Sequence, residues 1–224
     1  MRIPREPVGL LALACCLAYC QATAQADFSE AQNLAVTVCP SLLAPDSLVQ
    51  RIADDLQLIR TQYPAVANIH YQRCNYYLPG ETCILLTPQA RALFLAGEHE
   101  QLNALHAEIG TPQIYEGIYG FLYLSFALPY HPRRLEELYD PIPGVTNTDR
   151  VMGCLGDGDG ITIRGDASYS FRRAWGEECI DTCPYEHFWI FTVTGGEVTL
   201  VDEYGADLDP VLQCTWGTLK AKFR

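Results

Sequence analysis

The cysteines set the tightest limits on this chain. They are Cys15, Cys16 and Cys20 near the N-terminus, then Cys39, Cys74, Cys83, Cys154, Cys179, Cys183 and Cys214. The first three lie in a leader: MRIPREP with Arg2 and Arg5, the apolar run VGLLALACCLAYC, then QATAQA with small residues at alternate positions. Basic, apolar and small residues in that order read as a secretory signal over residues 1–26, cleaved after Ala24 or Ala26. The apolar run is shorter than the roughly 20 residues that span a bilayer. Lipidation at Cys15 or Cys20 is the alternative; bulky Tyr19 and the short apolar core before Cys15 argue against it. A periplasmic or secreted chain meets an oxidising compartment, where cysteines pair by default. Cys74, Cys83, Cys154, Cys179, Cys183 and Cys214 are the disulfide candidates, and an odd number of sulfurs leaves one thiol over. Cys74 and Cys83 flank NYYLPGET, whose Leu-Pro-Gly predicts a turn that brings the two together.

Residues 27–44 read as an N-terminal tether pinned at Cys39 and Pro40, and 45–224 as a single domain. In PDSLVQRIADDLQLIRTQYP, Asp46 or Ser47 caps a helix whose Leu48, Val49, Ile52, Leu56 and Ile59 form one apolar stripe. NIHYQRCNYYL and TCILL read as two short strands around the Pro79-Gly80 turn. Thr87-Pro88 starts a helix or helix pair that runs to Gly110, with Leu102, Leu105 and Ile109 inside. IYGFLYLSFAL reads as a buried strand and PRRLEELY as a short helix. Beyond residue 150 come ITIRG, SYSFRRAW, HFWIFTVT and EVTLVDEYG as strands, with VLQCTWGTLKAKF supplying a last one. Gly195-Gly196 marks the clearest hairpin, since glycine accepts the positive φ angles of a two-residue turn. The expected fold is α+β: a helix-rich 45–145 with short strands, and a β-rich, antiparallel 150–224, disulfide-stabilised.

A net charge of −12 argues against nucleic acid and anionic membrane as partners, because counterion release needs Lys and Arg. Neither G-x-S-x-G nor a phosphate-cradling glycine loop is present, so no catalytic residue and no cofactor is assigned. HEQLNALH lacks the second histidine of a zinc protease motif, and His99 and His106 read as a solvated helix edge. Asp157, Asp159 and Asp166 suggest calcium, yet an EF-hand loop needs an oxygen ligand at Ile161 and Glu at Ser168. They read as an acidic turn.

WGEECIDTCPYEHFWIF admits three readings. Cys179, Cys183 and His187 are spaced four and four, a set that zinc would accept, and the two thiols could shuttle electrons. A second matched ligand pair is missing, and Pro184 leads into a strand instead of a helix, so disulfide use is preferred. A pattern G-[DE]-C-x3-C-x3-H followed by alternating aromatics resembles a family of uncharacterised exported bacterial proteins. GDGDGITIRG, SYSFRRAWGEEC, CPYEHFWIFTV and IPGV carry the likeness, across roughly residues 115–204. Glu177-Glu178 stand where that family more often has Gly-Asp. The resemblance implies export and a bacterial source, and it brings no catalytic residue.

Tyrosine and tryptophan concentrate on the presumed strands, which suits sheet cores and binding surfaces alike. Trp175, Tyr185 and Trp189 are the candidate binding aromatics. The expected role is non-enzymatic binding of a cell-envelope component or another protein. One alternative is metal or thiol-redox chemistry at Cys179, Cys183 and His187; another is an exported hydrolase with an unrecognised carboxylate site.

Overall fold

Ser29 and Gln32 build a reciprocal cap at the start of α1 (Glu30–Val38): each side chain accepts the other's backbone N–H. The computed structural model describes residues 28–72, 76–153, 158–165, 167–176 and 183–207. The leader, Cys74, Cys154, Asp157, Asp166, Cys179 and Cys214 lie outside those residues. Ala31, Leu34 and Ala35 follow at helical spacing and are buried, so residues 30–38 are core and the expected tether is corrected. α2 (Asp46–Gln62) starts after Pro45 with no side-chain cap, and it buries Ile52, Leu56 and Ile59 of the predicted stripe.

The middle of the chain forms an antiparallel sheet in the order β2-β3-β1-β4: β1 (Tyr77–Leu86), β2 (Gln113–Glu116), β3 (Leu122–Ser125) and β4 (Val145–Met152). Between these strands lie α3 (Pro88–Leu95), α4 (Glu100–Ile109) and α5 (Pro132–Tyr139). Ile84, Leu122 and Leu124 from the sheet pack with Phe94, Leu102, Leu135 and Tyr139 from the helices.

β1 replaces the predicted pair of strands around a Pro79-Gly80 turn with one strand that bulges at that dipeptide. The strand continues through that dipeptide, with its register to β4 shifted between Tyr77 and Thr82. Gly80 sits at φ 72°, and a Cβ there would lie 2.5 Å from the Leu128 carbonyl oxygen. Tyr77 pairs with Met152 and Thr82 with Arg150, so three extra β1 residues bulge out around Gly80. Cys83 is a free, buried thiol, so the expected Cys74–Cys83 bridge is not formed. IYGFLYLSFAL is likewise not one strand. Ile118–Gly120 is a single 3-10 turn with Tyr119 at φ 56° and 89% exposed, and only Leu122–Ser125 pairs.

The second sheet is a meander, β5 (Gly160–Arg164), β6 (Ser168–Trp175), β7 (Tyr185–Thr194) and β8 (Glu197–Gly205), antiparallel throughout. Gly195 and Gly196 turn β7 into β8 at φ 61° and 81°, as the hairpin reading requires. Its inner face presents Ile161, Tyr169, Phe171, Trp189, Phe191, Val193 and Val198 to Ala31, Leu34, Ile52, Leu56 and Ile59. The N-terminal helices therefore cover the C-terminal sheet, and the middle segment keeps its own apolar cluster. The fold is α+β, with helices concentrated early in the chain and strands late. Among the described residues no helix is long and apolar enough to cross a membrane.

Trp189 is 3% exposed and packs in this core, which removes it from the candidate binding aromatics. Trp189→Ala should cost about 3–5 kcal/mol in denaturant unfolding, the usual loss for a core tryptophan; an unchanged midpoint would place the ring in solvent. Cys39 and Cys83 are both free and buried, and burial pushes the Cys83 thiol up to about 11. Mass mapping after iodoacetamide should find both unmodified in the native protein and both alkylated once it is unfolded. Recovery of Cys83 in a disulfide would contradict its assignment as a free, buried thiol.

Candidate functional site

Side chains alternate along a strand, so what β5, β6 and β7 do not send to the helices they send to the opposite face. Thr162, Arg164, Ser170, Arg172 and Phe188 stand there, between the inward Ile161, Tyr169, Phe171 and Trp189. Cross-strand pairing aligns Thr162 with Ser170, and Gly160 with Arg172 and then Phe188. Gln72, Tyr76 and the Gly158-Asp159-Gly160 segment complete the walls of a cavity of about 190 Å³.

Three of its polar side chains are held in place. Arg172 donates from Nη1 to the Gly158 carbonyl at 2.8 Å and from Nη2 to Glu186 Oε1 at 2.5 Å. Asp159 Oδ1 accepts the Ala174 N–H at 3.0 Å. The Tyr76 hydroxyl donates to the Ile161 carbonyl at 3.2 Å, and burial raises its pKa. Phe188 stacks on Tyr204, centroids 5.0 Å apart and planes 19° apart. Arg164 is exposed and has no hydrogen-bond or ion-pair partner among the described residues. Within those same residues neither Thr162 nor Ser170 is hydrogen-bonded to a histidine or carboxylate, the contact that would activate a hydroxyl. The groups present can donate and accept hydrogen bonds, pair with an anion and cover an apolar face.

Of the proposed ligand set, Cys183 and His187 lie among the described residues, and both are otherwise engaged. Cys183 is buried and disulfide-bonded, with a partner outside the described residues. A disulfide sulfur has no thiolate to offer a metal. His187 places Nδ1 2.8 Å from the Ala206 carbonyl and Nε2 3.0 Å from Glu203 Oε1, so both ring nitrogens face oxygen acceptors. Among the described residues no group of three His, Cys, Asp or Glu side chains could hold a metal ion. Trp175 and Tyr185 do meet: they stack at 5.9 Å and 24° across the end of the β6–β7 ladder, with Tyr185 53% exposed.

His99 and His106 are not a solvated edge. His99 is 8% exposed, caps α4 by accepting the Leu102 N–H, and places Nε2 3.1 Å from the Pro143 carbonyl. His106 is 7% exposed, with Nε2 2.7 Å from the Tyr139 hydroxyl and its ring among Phe94, Phe126 and Tyr139. Burial favours the neutral form of both partners: it lowers His106 to about 4 and raises Tyr139.

Sequence reasoning reached Trp175 and Tyr185 but missed the cavity. Arg164, Arg172 and Phe188 alternate with core residues in ITIRG, SYSFRRAW and HFWIF, which is a readable signal for an outer face. That Gln72 and Tyr76 close over it depends on segments about 85 residues apart in sequence, as the Tyr76–Ile161 hydrogen bond shows. Set against protein-family models, curated proteins and solved structures, the chain matches none.

His106 makes a pH test available. As pH falls through 6.5 the unfolded chain takes up a proton at this imidazole, while the folded chain does not until about 4. Folding stability contributed by neutral His106 therefore drains away across that window. The stability gap between wild type and His106→Gln should narrow as pH is lowered from 7 to 4 in urea titrations. Parallel curves would mean that this imidazole titrates as it does in water.

Proposed function

We propose that this is an exported, non-enzymatic binding protein that holds a component of the cell envelope in the cavity on the outer face of the β5–β8 sheet. One observation carries the reading: a walled cavity where guanidinium, hydroxyl, amide and aromatic groups converge on the sheet face that the helices leave open. Converging polar groups around a concave site are the usual mark of ligand recognition. The pairing of Arg172 with Glu186 and Gly158, and the stacking of Phe188 on Tyr204, fix two of the walls in advance of binding, which lowers the entropy cost of association. Export rests on the leader, and a bacterial, periplasmic or secreted setting on the leader together with the family resemblance of residues 115–204. The stacked Trp175–Tyr185 pair adds an aromatic surface at the end of the same two strands.

Thr162 lines the cavity and is exposed, so Thr162→Trp fills the space without touching the core. Surface changes of this kind usually alter stability by about 0.5 kcal/mol or less. The full chain, expressed in a bacterium, should be recovered outside the cytoplasm. It should sediment with isolated cell-envelope fragments, and Thr162→Trp should reduce that by at least about tenfold at an unchanged melting temperature. Retention in the cytoplasm, or undiminished sedimentation of the variant, would overturn the proposal.

A further inference from the structure

We infer that the cavity takes one small hydroxylated carboxylate, the size of a single acidic sugar. This rests on the cavity's being the binding site.

Size comes first. At about 190 Å³ the cavity lies below the roughly 300–1,000 Å³ of pockets that enclose drug-sized ligands, so one sugar-sized unit fits and a folded chain does not. Charge comes second. In a chain of net charge −12, Arg164 stands at this cavity without a partner among the described residues, whereas Arg172 is already met by Glu186. Arginine's planar fork pairs with carboxylate through two parallel hydrogen bonds, so the group that completes Arg164 is a carboxylate. Because Arg164 is exposed, that carboxylate sits at the mouth of the cavity.

The remaining lining residues match hydroxyl groups. Gln72 offers a donor and an acceptor, Thr162 and Ser170 offer hydroxyls, and Asp159 has a second carboxylate oxygen beyond the one bonded to Ala174. A hydroxyl both donates and accepts, which is what such a mixed set requires. Phe188, backed by Tyr204, supplies one apolar wall of the kind that covers the C–H face of a sugar ring. A simple inorganic anion would leave that wall and the acceptor groups unused.

Sodium glucuronate, glucose and acetate are the probes, titrated calorimetrically into the full secreted chain at low salt. Glucuronate should bind at least about tenfold more tightly than either glucose or acetate. Arg164→Gln should reduce glucuronate to the level of glucose at an unchanged melting temperature, and Thr162→Trp should abolish binding of both sugars. Equal affinity for glucose and glucuronate, or a preference that survives Arg164→Gln, would overturn the inference. Displacement of the protein from envelope fragments by glucuronate identifies an acidic unit of an envelope polymer as the source; binding without displacement identifies a free sugar acid. If glucuronate fails to bind while Thr162→Trp still blocks sedimentation, the ligand class is wrong and the site stands. Failure of both removes the site as well.

Discussion

The inner face of the β5–β8 sheet cannot be left to water, and helices from the opposite end of the chain cover it. Tyr169, Phe171 and Phe191 are fully buried there against Leu34, Ile52 and Ile59. Each such side chain contributes about 1.5–3 kcal/mol relative to exposure. One polar clamp fixes how the helices lie. Glu30 on α1 takes two hydrogen bonds from Arg60 on α2, at 2.8 and 2.9 Å, and a third from the Tyr71 N–H at 2.6 Å. Arg60 also donates to the Ile69 carbonyl at 2.6 Å. Burial alone would raise the Glu30 pKa; the hydrogen bonds from Arg60 and Tyr71, with the charge of Arg60, outweigh it and hold the carboxyl below its usual 4.5. The clamp is therefore fully formed above that value and lost as pH falls through the lower folded one.

That clamp also determines where the chain goes next. Residues 69–71 are held against α1 and α2, and the chain leaves them to reach Tyr76, whose hydroxyl bonds to Ile161 of β5 and whose carbonyl accepts from the Gly153 N–H. The middle segment is thus pinched where it begins and ends, and Gln72 and Tyr76 are brought over the outer face of the sheet. The cavity is a product of this route. No single strand contains it, because its walls come from the exit of the helical pair and from three strands of the sheet.

Local periodicity made the elements legible wherever one residue pattern decided one element. The stripe of α2, the proline start of α5 and the Gly195-Gly196 hairpin needed nothing from elsewhere in the chain. The errors share a different cause. α1 is nine residues long and leans on a sheet formed more than 120 residues later, so its sequence looked like a linker. Pro79-Gly80 has turn chemistry, yet its left-handed Gly80 is held by backbone bonds to Tyr130 and Phe126 as a bulge inside β1 instead of a hairpin turn. His106 looked solvated because nothing in its helix reveals that Tyr139 waits 33 residues on. Of the candidate site, the sequence displayed the alternation of the outer face and the Trp175–Tyr185 pair. The closure over it was a tertiary fact.

Depth is the last property of the cavity to need a cause, since a four-stranded sheet would otherwise present a flat face. Gly160 supplies it. Its backbone is not in the left-handed region, and a Cβ there would meet nothing nearer than the Tyr76 hydroxyl at 3.8 Å, an ordinary contact. Neither strain nor packing therefore demands glycine at this position, in contrast to Gly80, where a side chain would strike the Leu128 carbonyl. Glycine also costs a strand entropy and packing area that almost any other residue would recover. Gly160 lies on the cavity wall between Asp159 and the strand carrying Thr162 and Arg164, and the missing side chain leaves room that a ligand can occupy. A strand that forgoes stability at the one point where its face is hollow is built around the hollow.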